Sequence, residues 1–368
     1  MKNYNCHSLM TTYYNLSDDM KEYPEAWCYV VIGGRHTGKT YGALKHFYET
    51  KSKFMFIKRT IEDVNMITSK GQKAGMNVDI APFKSINNDL GCNIEAFPIQ
   101  KGLGGFYPAL DGEIAGAIVG YIMALSAGGK FKGSDFSDCD AVIFDEFIPQ
   151  PWERVGRKEG EQLLDVYGTV ARARVIRDKP ELKLICLANA VNIYNPTCAA
   201  LDIIDDICIM ANMQKETQTV TMYDDERGIF IRLLPIPEQM KKVEENTKFY
   251  NAMHDTQWGA MAWDNEFSYN DFSCVRKIAL KGYHPVCKVH YKKSDYFIYT
   301  NDELIYMTSS RTNKPIEEYN LNLEKDIRRF YFEKCYDYIT ATTEGRMYYK
   351  NYTMYDMIFN YKLRFKFT

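Results

Sequence analysis

The chain carries its apolar residues in short unbroken runs separated by amphipathic stretches. AWCYVVI (26–32), KFMFIKR (53–59), CDAVIFDEF (139–147) and LKLICLANA (182–190) read as strands buried on both faces. Residues 39–50 and the segment GEQLLDVYGTVARARVIRD (160–178) read as helices. Apolar strands that alternate with helices predict an α/β fold built on a mainly parallel sheet. The region 60–125 is glycine-rich and mixed, with strand-like pieces such as AGAIVGYIMAL. Internal repeats and low-complexity segments are absent.

The texture changes after about residue 215. Residues 236–264 read as a polar, partly helical connector. Beyond it come the alternating runs PVCKVHY and DYFIYTNDELIYMT, then a helical segment rich in Tyr and Phe. These shifts predict three parts: a first domain over 1–215, a partly helical linker over 216–265, and a smaller α/β domain over 266–368.

Composition changes this picture little. Of the 368 residues, 46% are hydrophobic and 26% charged, the ordinary proportions of a globular chain. No apolar run reaches the length needed to span a bilayer, and the first twenty residues lack the apolar core of a signal peptide. The ten cysteines form no Cys-x-x-Cys pair and read as reduced thiols of a cytosolic protein; the six histidines show no metal-ligand spacing. Charge is uneven. From Glu266 onward there are 17 basic and 13 acidic residues, whereas the preceding 265 residues carry 29 and 35. A mildly basic tail on an acidic body is compatible with a nucleic-acid-facing second domain, and equally with scatter.

The chemistry begins at CYVVIGGRHTGKTYGALKHF (28–47). Gly33-x4-Gly38-Lys39-Thr40 follows an apolar strand and opens a helix, the context a P-loop requires. The backbone over Gly33, Gly34, Arg35, His36, Thr37 and Gly38 would aim N–H groups at phosphates, aided by the positive end of the helix. Lys39 would reach the β- and γ-phosphates, and Thr40 would offer its hydroxyl to Mg²⁺. ATP and Mg²⁺ are therefore the expected ligands.

In AVIFDEF a core strand delivers two acids to its C-terminal end, where ligands bind in open α/β sheets. Asp145 would hold the Mg²⁺ shell and Glu146 would polarise an attacking water. That pairing suggests a hydrolysing motor of the additional-strand type. Asn189 at the end of the fourth strand would sense the γ-phosphate; a plain turn residue is the simpler alternative. On the helix expected over 160–178, Tyr167, Val170, Arg174 and Arg177 share a face, while Arg172 lies off it, on the side of Asp165. Arg172 is thus the arginine best placed to reach a neighbouring subunit. Lys130 and Lys132 in GGKFKGSDF, and Lys70 and Lys73 in SKGQKAGM, sit on loops that suit sequence-independent phosphate contact or plain solvation.

With the P-loop GGRHTGKT, the segments IFDEF (143–147) and ICLANAVNIYNP (185–196) resemble the DNA-packaging ATPases of phi29-like bacteriophages. The resemblance runs through most of the first 215 residues and continues weakly through WGAMAWDNEF and the C-terminal strands. It implies a homomeric ring, usually a pentamer, docked at a capsid portal in the host cytoplasm, with a structural RNA as a possible further partner. Such a ring translocates double-stranded DNA with ATP and has no membrane association. It implies an arginine finger at Arg172, matched in Thr169-Val170-Ala171-Arg172, a trans-acting lysine at Lys132, and a P-loop arginine at Arg35. It also implies an RNase H-like C-terminal domain. The strand HPVCKVHYKK (284–293) contains no acid, so nuclease activity is not expected there unless the first strand is instead DYFIYTNDE, which would bring in Asp295 or Asp302. Two rivals remain: a headful-type large terminase with a working nuclease, and a nucleotide-binding structural protein that does not hydrolyse.

Overall fold

The computed structural model describes residues 2–7, 13–68, 82–150, 152, 153, 155, 156, 158–172, 174–193, 195–214, 218–256, 259 and 273–365. The chain divides into two compact units, 1–269 and 270–368.

The first unit is built on one sheet. Its strands are β1 (Lys2–His7), β2 (Cys28–Gly33), β3 (Lys53–Lys58), β4 (Ile94–Gln100), β5 (Leu103–Leu110), β6 (Glu113–Ile114), β7 (Gly120–Ala124), β8 (Cys139–Asp145), β9 (Lys183–Ala188), β10 (Thr219–Asp224) and β11 (Ile229–Leu234). The order is β1-β10-β11-β2-β9-β8-β3-β7-β5-β4, with β6 added on β5. From β11 to β7 every neighbouring pair is parallel. Antiparallel pairs close both edges, β1–β10–β11 at one and β7–β5–β4 at the other. All six residues of β2 are buried, as are the last five of β8 and of β9. A strand reaches that state only when both sheet faces are covered, which is why its sequence is continuously apolar.

The strand β9 lies between β2 and β8, hydrogen-bonded to both. This is the additional strand expected from the Asp-Glu pair. Parallel pairing brings the C-terminal ends of β2, β8, β9 and β3 to one edge, so Gly33, Asp145, Ala188 and Lys58 end as neighbours.

The helices of this unit are α1 (Leu16–Glu22), α2 (Lys39–Glu49), α3 (Ile61–Thr68), α4 (Lys84–Leu90), α5 (Glu159–Val170), α6 (Pro196–Leu201), α7 (Ile204–Met213), α8 (Glu238–Glu245) and α9 (Lys248–Met253). The buried face of α2 is Gly42, Ala43, Leu44 and Phe47, the three-to-four spacing of an amphipathic helix.

Two sequence expectations are corrected. The helix over 160–178 ends at Val170; residues 171 and 172 form a turn, and a short 3-10 turn follows at Val175–Arg177. The segment 216–265 is not simply a linker. Its first part, TVTMYDDERGIFIRLL, is a hairpin whose second strand pairs parallel with β2. The first unit therefore continues past residue 215 and includes α8 and α9.

The second unit holds a five-stranded sheet of β12 (His284–Tyr291), β13 (Ser294–Thr300), β14 (Ile305–Thr308), β15 (Glu317–Asn320) and β16 (Met347–Tyr349), in the order β15-β12-β13-β14-β16. The middle three strands are antiparallel; β15 and β16 join parallel at the edges. Its core packs Val289, Ile298, Met307 and Tyr319 against the helical residues Phe330, Cys335 and Tyr361. The smaller mixed α/β domain expected at the C-terminus is present.

Candidate functional site

Gly38 sets the geometry of the loop after β2. It has φ +79°, a left-handed conformation that side chains rarely adopt, and it is the N-cap of α2 with no side-chain cap. The first N–H groups of α2 are therefore left for an external acceptor, at the helix end that favours anions. The loop is fixed from behind: the Tyr14 N–H donates to the Thr37 carbonyl at 2.9 Å, and the Thr37 hydroxyl donates to the Gly34 carbonyl at 3.1 Å.

Lys39 folds back over this loop. Its Nζ lies 2.9 Å from the Gly33 carbonyl, 2.7 Å from the Gly34 carbonyl, 3.0 Å from Thr37 Oγ1 and 3.2 Å from Asn189 Oδ1. An ammonium has three protons, so these four acceptors compete. Burial pushes the Lys39 pKa down to about 7, against the opposing pull of Asp145 and Glu146. A phosphate entering the loop would supply the missing negative charge.

Across the cavity, the Thr40 hydroxyl donates to Asp145 Oδ1 at 2.9 Å. Asp145 is buried at the tip of β8, and Glu146, the next residue, is exposed with φ +58°. A non-glycine residue in that region is uncommon and is concentrated at functional sites. The turn directs the Glu146 side chain away from the strand's buried path.

The cavity has a volume of ≈ 430 Å³ and is lined by Arg35, His36, Thr37, Gly38, Lys39, Thr40, Tyr41, Asp145, Glu146, Gln150, Ala188 and Asn189. Of the predicted nucleotide and metal residues, all but Gly33 and Gly34 line it, and those two turn their carbonyls to Lys39. Asn189 is brought in by the central placement of β9.

Three participants were missed in the sequence. Lys58, at the tip of β3, places Nζ 2.8 Å from Asp145 Oδ2 and 3.3 Å from Glu146 Oε2. Burial alone would lower its pKa, but the two carboxylates outweigh it and hold the pKa above the ordinary lysine value. Arg59 donates to Glu159, to Glu153 and to the Glu146 carbonyl, so it braces the turn that presents Glu146. Gln150 lines the cavity, and its Oε1 is buried with no hydrogen-bond partner among the described residues. The signal for the first two was the Lys-Arg pair ending KFMFIKR, legible only once β3 is known to lie beside β8.

The remaining candidates lie elsewhere. Arg172 is exposed in the turn after α5, outside the cavity. Its expected helical offset does not apply, because the helix has already ended. Arg174 is structural: its guanidinium is buried, donating to the carbonyls of Cys139 and Pro180 and to Asp140. Arg177 donates to Ser137 at 2.7 Å. Lys132 pairs with Asp165 of α5 at 3.0 Å, with both side chains largely exposed. Lys130 is exposed in a 3-10 helix, Leu125–Phe131, where a loop was expected. Lys70 and Lys73 lie outside the described residues.

A family model matches residues 10–330, and it describes the podovirus DNA encapsidation protein (Gp16). The chain belongs to this family. Among individual relatives, the DNA packaging protein of Bacillus phage B103 is 26% identical over 290 residues, 76% of each chain. That of Bacillus phage phi29 is 25% identical over 248 residues, 64% of this chain and 61% of the relative. The fold is similar to a chain of the bacteriophage Phi-29 viral genome packaging motor assembly, with TM-score 0.60 at 18% identity, covering 96% of this chain and 99% of that one. A chain of the Phi-28 gp11 DNA packaging motor gives TM-score 0.58 at 16% identity, covering 98% and 99%. Membership in the encapsidation family makes viral DNA packaging the context of this cavity.

Proposed function

We propose that this protein is the ATPase subunit of a phage motor that drives double-stranded DNA into a procapsid. The observation that carries this is the convergence of Lys39, Thr40, Asp145, Glu146 and Asn189 on one cavity in a chain of the encapsidation family.

The donor set fits Mg-ATP. Lys39 exchanges its carbonyl partners for β- and γ-phosphate oxygens. The Thr40 hydroxyl and the Asp145 carboxylate, already 2.9 Å apart, form the oxygen set that would hold Mg²⁺, which neutralises phosphate charge when bound. Glu146 accepts a hydrogen bond from the attacking water and polarises it. Asn189, held to Lys39 beside the γ-phosphate position, registers loss of that phosphate and passes it to β9.

Charge in the transition state requires a further cation. Arg172 is exposed and outside its own cavity, which suits delivery to a neighbouring subunit in a homomeric, pentameric ring. Lys132 is the second such group, and its exposed pair with Asp165 is weak enough to exchange. Duplex DNA is gripped through phosphates, with Lys70, Lys73 and Lys130 as contacts, so binding is nearly indifferent to sequence and falls steeply with salt. The ring works in the host cytoplasm at the portal, with a packaging RNA as a further partner.

Phosphate release from Mg-ATP tests the reading, with and without duplex DNA. The native chain should hydrolyse ATP, faster with DNA. Glu146→Gln should still bind ATP and lose about 100-fold or more in turnover, because the cradle remains and the base is gone. Near-normal hydrolysis by that variant would remove Glu146 from the mechanism; no hydrolysis by the native chain would favour a structural nucleotide-binding role.

A further inference from the structure

Gln150 stands in the wall of the cavity that also holds Asp145, Glu146 and Asn189. Its amide oxygen Oε1 is buried and has no hydrogen-bond partner among the described residues. A buried acceptor without a donor costs stability, and such a group in a cavity wall points to a donor that arrives with the ligand. We propose that Gln150 is a catalytic residue: its Oε1 accepts a hydrogen bond from one proton of the attacking water while Glu146 accepts the other. The two together aim the water at the γ-phosphate. The proposal rests on the nucleotide reading above and extends it to the second acceptor of the nucleophile.

The backbone ties Gln150 to Glu146. After the left-handed turn at Glu146, Phe147 and Ile148 return to the core, and the Phe147 N–H donates to the Leu187 carbonyl of β9 at 3.1 Å. Gln150 is then closed into a turn with Glu153. The Gln150 N–H donates to Glu153 Oε2 at 3.1 Å, and the Glu153 N–H donates to the Gln150 carbonyl at 2.9 Å. The same Glu153 oxygen accepts from Arg59, which also donates to the Glu146 carbonyl, both at 2.9 Å. One guanidinium therefore fixes the backbone at both residues. The last side-chain torsion of a glutamine is broad and roughly two-fold, so a turn about it brings Oε1 from the wall to the cavity at little cost.

Water chemistry sets the number of acceptors. The attacking oxygen turns a lone pair to phosphorus, which leaves two protons to be accepted. The oxygens of Thr37, Thr40 and Asn189 that line the cavity are already bonded to Lys39 or Asp145, and both oxygens of Asp145 are taken by Thr40 and Lys58. Gln150 Oε1 has no such partner. As the water oxygen bonds to the γ-phosphorus, the bond to the β–γ bridging oxygen breaks and ADP keeps that electron pair. One proton passes to Glu146. The O–H held by Gln150 stays intact and leaves with inorganic phosphate.

The test uses Gln150→Leu, which keeps the bulk and removes the acceptor, and Gln150→Glu, which keeps an acceptor at the same reach. Hydrolysis, affinity for Mg-ADP with and without aluminium fluoride, and denaturant unfolding are measured on the full chain. Gln150→Leu should lose about tenfold in turnover with KM unchanged, the scale of one hydrogen bond made only in the transition state. Aluminium fluoride with ADP mimics the phosphoryl group in transfer and its in-line water. That complex should weaken about tenfold in Gln150→Leu, while Mg-ADP alone binds as it does to the native chain. The ligand-free variant should be at least as stable as the native chain, because apolar atoms replace an unpaired buried acceptor. Gln150→Glu should keep most of the turnover. Near-normal turnover in Gln150→Leu, lower stability of that variant, or a loss of Mg-ADP affinity as large as the loss with aluminium fluoride would overturn the assignment and leave Gln150 a wall residue. A native chain that binds no Mg-ADP would instead refute the nucleotide reading.

Discussion

Lys58 and Asp145 form an ion pair at 2.8 Å across the tips of neighbouring parallel strands. The side chains are 16% and 11% exposed, so neither charge is well solvated, and the same Asp145 carboxylate accepts from Thr40. In the ligand-free protein Lys58 thus supplies positive charge at the position where a divalent cation would act. Lys58→Met should destabilise the ligand-free chain by about 2 kcal/mol, because a mostly buried carboxylate loses its partner. Saturating Mg-ADP should narrow that gap, since the metal replaces the lost charge. Denaturant unfolding with and without Mg-ADP checks it; equal losses in both conditions would separate Lys58 from the metal position.

The lowered Lys39 pKa would make proton uptake part of the proposed phosphate binding. Its folded pKa is about 7, against an ordinary 10.5. Below about pH 7 the side chain is charged in folded and unfolded chains alike. Between the two values the unfolded chain binds a proton that the folded one does not, so this group makes stability rise with pH over that window. Phosphate favours the charged form. Binding of ADP without divalent metal should therefore take up close to one proton near pH 8.5 and show no uptake near pH 6. Calorimetry in buffers of different ionisation enthalpy reads the uptake. A Lys39→Arg chain, charged throughout, should show none.

Arg172 and Arg174 stand two residues apart and should behave oppositely. Arg174→Ala strips a buried guanidinium from two carbonyls and Asp140, and should cost about 3 kcal/mol of stability. Arg172→Ala should change stability by less than about 0.5 kcal/mol, as exposed substitutions do. In assembled rings it should abolish most hydrolysis. Mixing Arg172→Ala with Lys39→Ala subunits should restore part of it, since an intact cradle then meets an intact arginine. No recovery in verified mixed rings would refute a shared site.

The second unit should not cleave DNA. Its first strand, β12, carries Lys288 and His290, Lys292 follows it directly, and Asp295 is the second residue of the next strand. Asp295 is already engaged: His290 Nδ1 lies 2.7 Å from Oδ1 and Lys288 Nζ 3.5 Å from Oδ2. The hydrogen bond from His290 leads the effects that hold its carboxyl below the ordinary value. Among the described residues no three His, Cys, Asp or Glu converge as a metal site. Supercoiled plasmid incubated with the full chain and Mn²⁺ should stay uncut. Nicking that is lost in Asp295→Asn or Asp302→Asn would restore the headful terminase reading.

The loop between β2 and α2 was legible because its determinants are contiguous. Gly33 to Thr40 lie within eight residues, and an apolar strand followed by an amphipathic helix fixes how they fold. Asp145 and Glu146 were legible for the same reason: seven residues of β8 show which end of the strand they occupy. A strand buried on both faces leaves little choice of sequence, so the four central strands could be read directly.

Other relationships depended on strand order. Nothing in KFMFIKR says that Lys58 meets Asp145; only the placement of β3 beside β8 decides it. The hairpin TVTMYDDERGIFIRLL shows alternation, an apolar run and a turn, yet its attachment to β2 is a pairing between residues about 200 positions apart. Arg172 was singled out by helical periodicity and by its matched segment, but the helix ends at Val170, and beyond it Arg174 is drawn into buried bonds with Cys139, Asp140 and Pro180. Local patterns record the free energy of turns, caps and two-faced burial, and so they determined the motif and its strand–helix frame. The pairing of distant strands and the sharing of one cavity are set by long-range packing, which leaves no mark on the order of neighbouring residues.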